Sequence, residues 1–381
     1  MMRRRPGKHA PVGIPTIVLT CLLAGAVCIL ITSNATADKA STALDKFKEP
    51  VDKSIDRALE FLADRQLTDA QAARLRKPAL AGSFNSSMRG NTGISSLCVM
   101  AFLSKGHTPG TGPYGHVINK GVDYILSTSQ SNGLLVSPER SGRNGSGPMY
   151  AHCIATLLLS EVSGMVTPTR QKKIDKALPK ALALILTAQR VRKNSRDAGG
   201  WRYRPDSRDS DLSLTGWAMM ALRSARLNGA AVPTKSIDDA VKYVMRCRTR
   251  DWGFSYQPRS GSSSPSRVGV GLLCLELCGQ QHGSEVTKRA ADYIIRRYTG
   301  NRHFSGSHAA YSVYYCSQAM FQVGGKHWEQ WGQRLYTTLL KIQKKDGSWI
   351  LSGSRGGSSY STAMCVLAMT VSYRQLPIYQ R

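Results

Sequence analysis

Apolar positions along this chain follow two alternating styles. Stretches such as Ile237–Cys247 and Val286–Tyr298 carry apolar residues on one helical face and charges on the other. Stretches such as Leu214–Leu222, Val268–Cys278 and Tyr360–Thr370 are small and apolar nearly all round. A helix of the first kind suits a layer with one wet face, and one of the second kind must be buried on most sides. The two styles alternate with a period of roughly 45–65 residues, the range of helical arrays.

Six such units can be read. Their first helices are Val51–Gln66, Val117–Leu126, Ile174–Gln189, Ile237–Cys247, Val286–Tyr298 and Trp328–Gln343. Their second helices are Thr92–Leu103, Tyr150–Leu159, one opening at Leu214, Val268–Cys278, Tyr311–Val323 and Tyr360–Thr370. In the third unit Pro179 must fall in the first turn of its helix or kink it. Between the helices lie Gly-containing turns, five with an aromatic, Gly82-Ser-Phe84, Ala198-Gly-Gly-Trp-Arg-Tyr203, Asp251-Trp-Gly-Phe-Ser-Tyr256, His303-Phe-Ser-Gly306 and Asp346-Gly-Ser-Trp349, and the fainter Gln130-Ser-Asn-Gly-Leu134 without one. Glycine permits positive φ where one helix reverses into the next, and the aromatic covers the exposed helix end. Trp201, Trp252, Phe254 and Trp349 are therefore read first as structural residues, and second as walls of a central cavity. The pattern predicts an all-α fold of stacked helical hairpins.

Gln343-Lys-Lys-Asp-Gly347-Ser-Trp349 resembles the end of the QW motif of squalene–hopene and oxidosqualene cyclases. Gly199-Gly-Trp-Arg-Tyr203 and Trp252-Gly-Phe-Ser-Tyr256 look like the aromatic turns of protein prenyltransferase β subunits. The resemblance covers roughly Val51 to the C-terminus and implies a closed α/α toroid of about six hairpins over 51–381, with inner and outer helix layers around a cavity. It also implies two chemistries, and both sites are incomplete. The cyclases' Asp-x-Asp-Asp-Thr-Ala acid motif corresponds to Asp211-Leu-Ser213-Leu214-Thr215-Gly216, in which only Asp211 and Thr215 match. Arg204 and Arg208 lie near Asp211 in sequence and would favour its ionised form. The prenyltransferases' zinc needs three converging ligands, and no Asp-x-Cys occurs. His308 and Cys316 are roughly 12 Å apart along one helix. No metal and no cofactor are expected. Asp209, Asp211 and His308 stand as weak catalytic candidates, and Tyr150, Tyr203, Trp217, Tyr311, Tyr315 and Tyr360 as cavity or binding residues.

The first residues are read as a targeting segment. Arg3, Arg4, Arg5 and Lys8 precede an uncharged run over 14–31, and Ala35-Thr-Ala37 fits a small-x-small cleavage site. Residues 1–37 read as a signal peptide or, since the run is long, as an N-terminal membrane anchor. Residues 38–50 read as a linker. The chain is expected to be exported, to the periplasm or another extracytoplasmic space. The formal charge is +28, and removing 1–37 leaves +24. That excess favours an anionic ligand or an anionic envelope surface, although no specific nucleic-acid motif is present. Of nine cysteines seven lie beyond residue 37, an odd scattered set that reads as buried thiols rather than a disulfide framework.

Three functions fit: a ring that binds an anionic or apolar ligand or a partner in or over its cavity without cyclase or zinc chemistry, an extracytoplasmic isoprenoid- or lipid-modifying enzyme, and an acidic-polysaccharide lyase or glycan binder. N-terminal sequencing of the native protein tests the export reading. Processing gives a chain starting at Asp38, whereas a membrane-bound product starting at Met1 identifies an anchor.

Overall fold

A computed structural model describes residues 42–137, 147–279, 281–298, 304–306, 308–354 and 356–380. Residues 1–37, including the apolar run over 14–31, lie outside the described residues. The helices are α1 (Thr42–Asp45), α2 (Lys48–Asp64), α3 (Asp69–Arg74), α4 (Thr92–Ser104), α5 (Gly115–Ser127), α6 (Met149–Val162), α7 (Pro168–Arg190), α8 (Leu212–Leu227), α9 (Thr234–Arg246), α10 (Pro265–Cys278), α11 (Glu285–Arg297), α12 (Ala309–Val323), α13 (Gly325–Ile342) and α14 (Gly357–Met369). No strand occurs among the described residues, and none of their helices is long and apolar enough to cross a membrane.

The helices form two concentric layers. α4, α6, α8, α10, α12 and α14 pack each against the next, and α14 packs back onto α4, so the inner layer is a closed ring. α2, α5, α7, α9, α11 and α13 lie outside it. The apolar-all-round stretches are the inner helices: every residue of α4 is buried. The outer helices bury one face only, as Ile237, Ala240, Tyr243 and Val244 do on α9.

Two boundaries differ from the sequence expectation. Part of the stretch expected as a linker over 38–50 is helical, because Leu44 and Phe47 find apolar partners on the ring and draw α1 against α13. α7 begins at Pro168, so Pro179 lies within the helix rather than in its first turn.

One joint recurs around the ring. Gln66 Nε2 donates to Gly82 O in its own turn and to Val117 O on the next outer helix (2.8 Å). Gln189 Nε2 does the same to Gly199 O and Ser236 O, and Gln343 Nε2 to Gly347 O and Ser54 O. The last of these joins the sixth unit to the first across 289 residues of sequence. Each turn is pinned to its own unit as well. Trp201 Nε1 and Trp349 Nε1 donate to Ile185 O and Leu339 O, tying each turn to the last turns of its own outer helix. The backbone N–H of Phe84, Trp201 and Trp349 is accepted by Ser95, Thr215 and Thr362 on the inner helices. That is why these apolar helices open with hydroxyl residues. In the second unit His152 plays this part, accepting from Leu135 N through Nδ1, while its Nε2 lies 3.2 Å from Ala181 O.

Gly347 has φ +83°, and a Cβ there would sit well inside contact with Arg57 O on α2. Gly347→Val is therefore expected to strain the backbone and to push the sixth turn off the first outer helix, at a cost of about 3 kcal/mol or more. Denaturant unfolding measures this, and a midpoint within error of wild type would show that the joint does not hold the ring closed.

Candidate functional site

The inner helices all begin at one end of the ring, called here the mouth. Residues in their first turns converge there. The Tyr311 hydroxyl donates to Ser213 O across the ring (3.5 Å). Tyr150 and Tyr203 have ring centroids 5.8 Å apart, and the hydroxyls of Tyr203 and Tyr256 are hydrogen-bonded to each other. Tyr150, Tyr311 and Asp211 are close enough to interact electrostatically, as are Tyr311 and Tyr360.

Below this level the ring is filled. Trp217 stacks on Tyr314 (5.5 Å, 12°) and meets Tyr315 edge-on, while Tyr315 packs on Tyr311 (4.6 Å). Trp217, Tyr314 and Tyr315 are at most 1% exposed, so no water-sized space adjoins them. Gly269 brings α10 against the backbone of Tyr315 and Cys316 on α12, which narrows the ring further. The far end is closed by the C-terminal segment. Tyr379 Oη bonds Tyr314 Oη (2.6 Å), Gln322 Nε2 donates to Tyr379 O, and Ile378 N donates to Glu161. Glu161 also accepts from Ser224 Oγ. The expected cavity lining is thus corrected for Trp217 and Tyr315: they fill the lumen, because the side chains of facing inner helices are large enough to meet across it. Tyr150, Tyr203, Tyr311 and Tyr360 are half-buried at the mouth.

Asp211 is the N-cap of α8, its Oδ1 accepting from Leu214 N (2.9 Å). Its other oxygen lies 3.6 Å from Arg202 Nη1, and neither atom has a hydrogen-bond partner among the described residues. Arg204 and Arg208, expected beside it, are exposed, and Arg204 pairs instead with Asp206. Burial acts against the ionised form that neighbouring arginines were expected to favour. Burial pushes its carboxyl up to about 7, outweighing the Leu214 amide and Arg202, which act the other way. Glu161, also buried, is pushed up to about 7.

Arg202 is the centre of the mouth, and sequence reasoning passed over it. Its guanidinium covers the rings of Tyr203 (4.4 Å) and Tyr256 (5.3 Å), and its Nε lies 3.3 Å from Asp209. It is 20% exposed and Asp209 49%, whereas Asp211 beneath is fully covered. The signal was present in the repeat, since Tyr203 and Tyr256 occupy equivalent turn positions. His308 precedes α12 as an exposed residue and joins no metal-type cluster among the described residues. The seven described cysteines are all free thiols, and burial raises each, Cys247 to about 12 and Cys278 to about 11.

The charge is unevenly placed. Arg204, Arg208, Arg250 and Arg259 are exposed on the mouth-side connections, with Arg74, Arg76 and Lys77 on the first. Among the described residues the opposite connections carry Lys105, already paired with Asp52 and Asp56, and Arg374.

No family model matches the chain, and no curated protein matches it. Among solved structures, the type II terpene cyclase MstE from Scytonema superposes with a TM-score of 0.53 at 13% identity, over 86% of this chain and 99% of that one. The same cyclase holding geranylgeranyl dihydroxybenzoate gives 0.52 at 14% identity, over 87% and 99%. The Lin0763 protein from Listeria innocua gives 0.54 at 11% identity, over 85% and 97%. At these identities the likeness establishes the fold: a terpenoid-cyclase-like α/α toroid.

A carboxyl titrating higher in the folded than in the unfolded chain stays protonated while the unfolded chain releases its proton. Stability from Asp211 is therefore greatest below about pH 4 and declines as pH rises to about 7. Asp211→Asn keeps the cap and removes that decline. Comparing the unfolding free energy of both proteins at pH 4.5 and 7.5 should show the wild type losing more, by on the order of 2–4 kcal/mol. Equal losses would mean that Asp211 is ionised in the fold.

Proposed function

We propose that this chain is an exported ring-shaped binding protein whose ligand, a polyhydroxylated sugar, rests on the mouth and not inside the ring, with neither cyclase nor zinc prenyltransferase chemistry. The observation that carries the reading is the contrast between the two regions. The lumen is packed with Trp217, Tyr314 and Tyr315, whereas the mouth presents a guanidinium, a carboxylate and several phenols side by side. A site for a drug-sized ligand needs a few hundred Å³ of concave space, which a filled lumen does not offer to an isoprenoid chain. Arg202 can donate and Asp209 can accept at the same edge, the pairing that neighbouring sugar hydroxyls require. Tyr203 and Tyr256 hold the Arg202 guanidinium in place by stacking on it and present their hydroxyl edges beside it. Asp211 lies underneath as a positioning group for Arg202.

A second reading, isoprenoid chemistry, is favoured by one observation: a buried carboxyl near pH 7 at the start of an inner helix, in a fold shared with a type II terpene cyclase. Against it, Asp211 is covered by Arg202 and spends one oxygen on the Leu214 amide. Lyase chemistry is weakened because burial raises the Tyr256 and Tyr311 phenols, disfavouring the phenolate such a base would need.

Titration calorimetry with galacturonate and glucose trisaccharides tests the proposal. Binding is expected, with a loss of about tenfold or more in Arg202→Gln. Squalene should be returned unchanged. Absence of any sugar binding would overturn the reading, and cyclised product abolished in Asp211→Asn would put the second reading in its place.

A further inference from the structure

The fourth turn departs from its counterparts at two positions together. In the sixth turn Lys344 N donates to Ser348 O and Gly347 N to Lys344 O; in the second, Gln130 N donates to Leu134 O and Gly133 N to Gln130 O. In the fourth, Thr249 N donates to Gly253 O and Trp252 N to Thr249 O. Trp252 therefore stands where Gly133 and Gly347 stand, and Arg248 where Gln343 stands. Trp252 keeps the left-handed backbone, φ +65°, that its counterparts reach as glycines. For a bulky residue this is a strained conformation, held only where the surrounding structure imposes it.

The substitution also changes what the joint can bind. Glycine lets the sixth turn seat directly on α2. A Cβ at residue 252 prevents that approach to α11, and Arg248 brings no side-chain amide to staple the carbonyls. In their place the half-buried Trp252 ring has two guanidiniums beside it, Arg248 at 5.4 Å and Arg289 at 5.7 Å from its centroid. Arg250 and Arg259 are exposed in the same connection. Two carboxylates lie near: Glu285 pairs with Arg289 Nε at 3.6 Å on the exposed face of α11, and Asp251 is engaged with Thr249, Ser263 and the Gly253 amide. Trp252 is four residues from Tyr256 at the mouth, at most about 14 Å along the backbone.

We propose that Arg248, Trp252 and Arg289 form a second binding subsite, for an anionic unit of a polysaccharide whose neighbouring unit occupies the mouth at Arg202 and Tyr256. This rests on the sugar-binding reading and names its ligand class as acidic polysaccharide. The two guanidiniums meet a carboxylate or ester anion bidentately, and the indole offers apolar surface to a pyranose ring. A polymer bridging both subsites gains from their linkage, so affinity rises with chain length.

The test uses the full-length mature chain, with polygalacturonate, neutral dextran, single-stranded poly-dT and a galacturonate trisaccharide as probes. Wild type should bind polygalacturonate at least tenfold tighter than either other polymer and tighter than the trisaccharide. Trp252→Gly should lose that advantage by about tenfold or more while its melting temperature stays equal or rises, because the left-handed strain is relieved. Trp252→Asn, which tolerates this conformation, serves if the glycine variant fails to fold. A lowered melting temperature with unchanged polygalacturonate affinity would make Arg248–Trp252–Arg289 a purely structural seam and overturn the proposal. Equal binding of dextran, or tighter binding of poly-dT, would overturn it too. Trisaccharide binding that is lost in Arg202→Gln yet leaves polygalacturonate indifferent to Trp252→Gly would keep the mouth reading and remove only this subsite.

Discussion

The ring depends on the seating of its first, second, third and sixth Gly-containing turns against the outer helix of the next unit. A helical hairpin of this kind cannot bury its inner helix alone, because that helix is apolar on all sides. The glutamine that ends an outer helix converts stacking into registration: one amide satisfies a carbonyl in its own turn and a carbonyl on its neighbour, so two orphan groups are paired by one side chain. When Gln343 makes this bond to Ser54, the open array becomes a closed one and no apolar end remains exposed. Each bond contributes only about 1 kcal/mol net, and leaving the buried carbonyls unpaired would cost more.

Closure has a consequence for the interior. Six inner helices fix the ring's diameter, and side-chain volume then decides whether it is hollow. Here Gly269 of α10 lets α12 approach closely, and Trp217, Tyr314 and Tyr315 pack together inside the ring. Tyr379 seals the far end through Tyr314. In this fold, shared with a terpene cyclase, the ring is packed at the level of Trp217, Tyr314 and Tyr315, and the accessible polar groups lie at the mouth. There, Arg202 lies beside Asp209 and Asp211, and burial raises the deeper Asp211 carboxyl.

The fourth joint shows how a repeat can be spent on something other than closure. Its neighbours α10 and α12 pack backbone to backbone, so the ring holds there without the glutamine. That leaves Arg248 and Trp252 free to differ from their counterparts in the other turns.

The sequence by itself determined the number of hairpins, which helices face inward, and where the turns and their aromatic anchors lie. These are local properties: helical periodicity, the conformational range of glycine, and the hydroxyl that opens an inner helix are all written within a few residues of one another. The Tyr203 and Tyr256 positions were legible for the same reason, since both sit in one repeated turn. Only the tertiary structure decided that Arg202, and neither Arg204 nor Arg208, faces Asp211, because two residues along a turn can point to opposite sides of it. It alone decided that Asp211 is desolvated, that Trp217 meets Tyr314, and that Tyr379 closes the ring. Each of these depends on residues from separate units meeting across the ring, 65 apart in the case of Tyr314 and Tyr379, and no local pattern encodes the distance at which they meet.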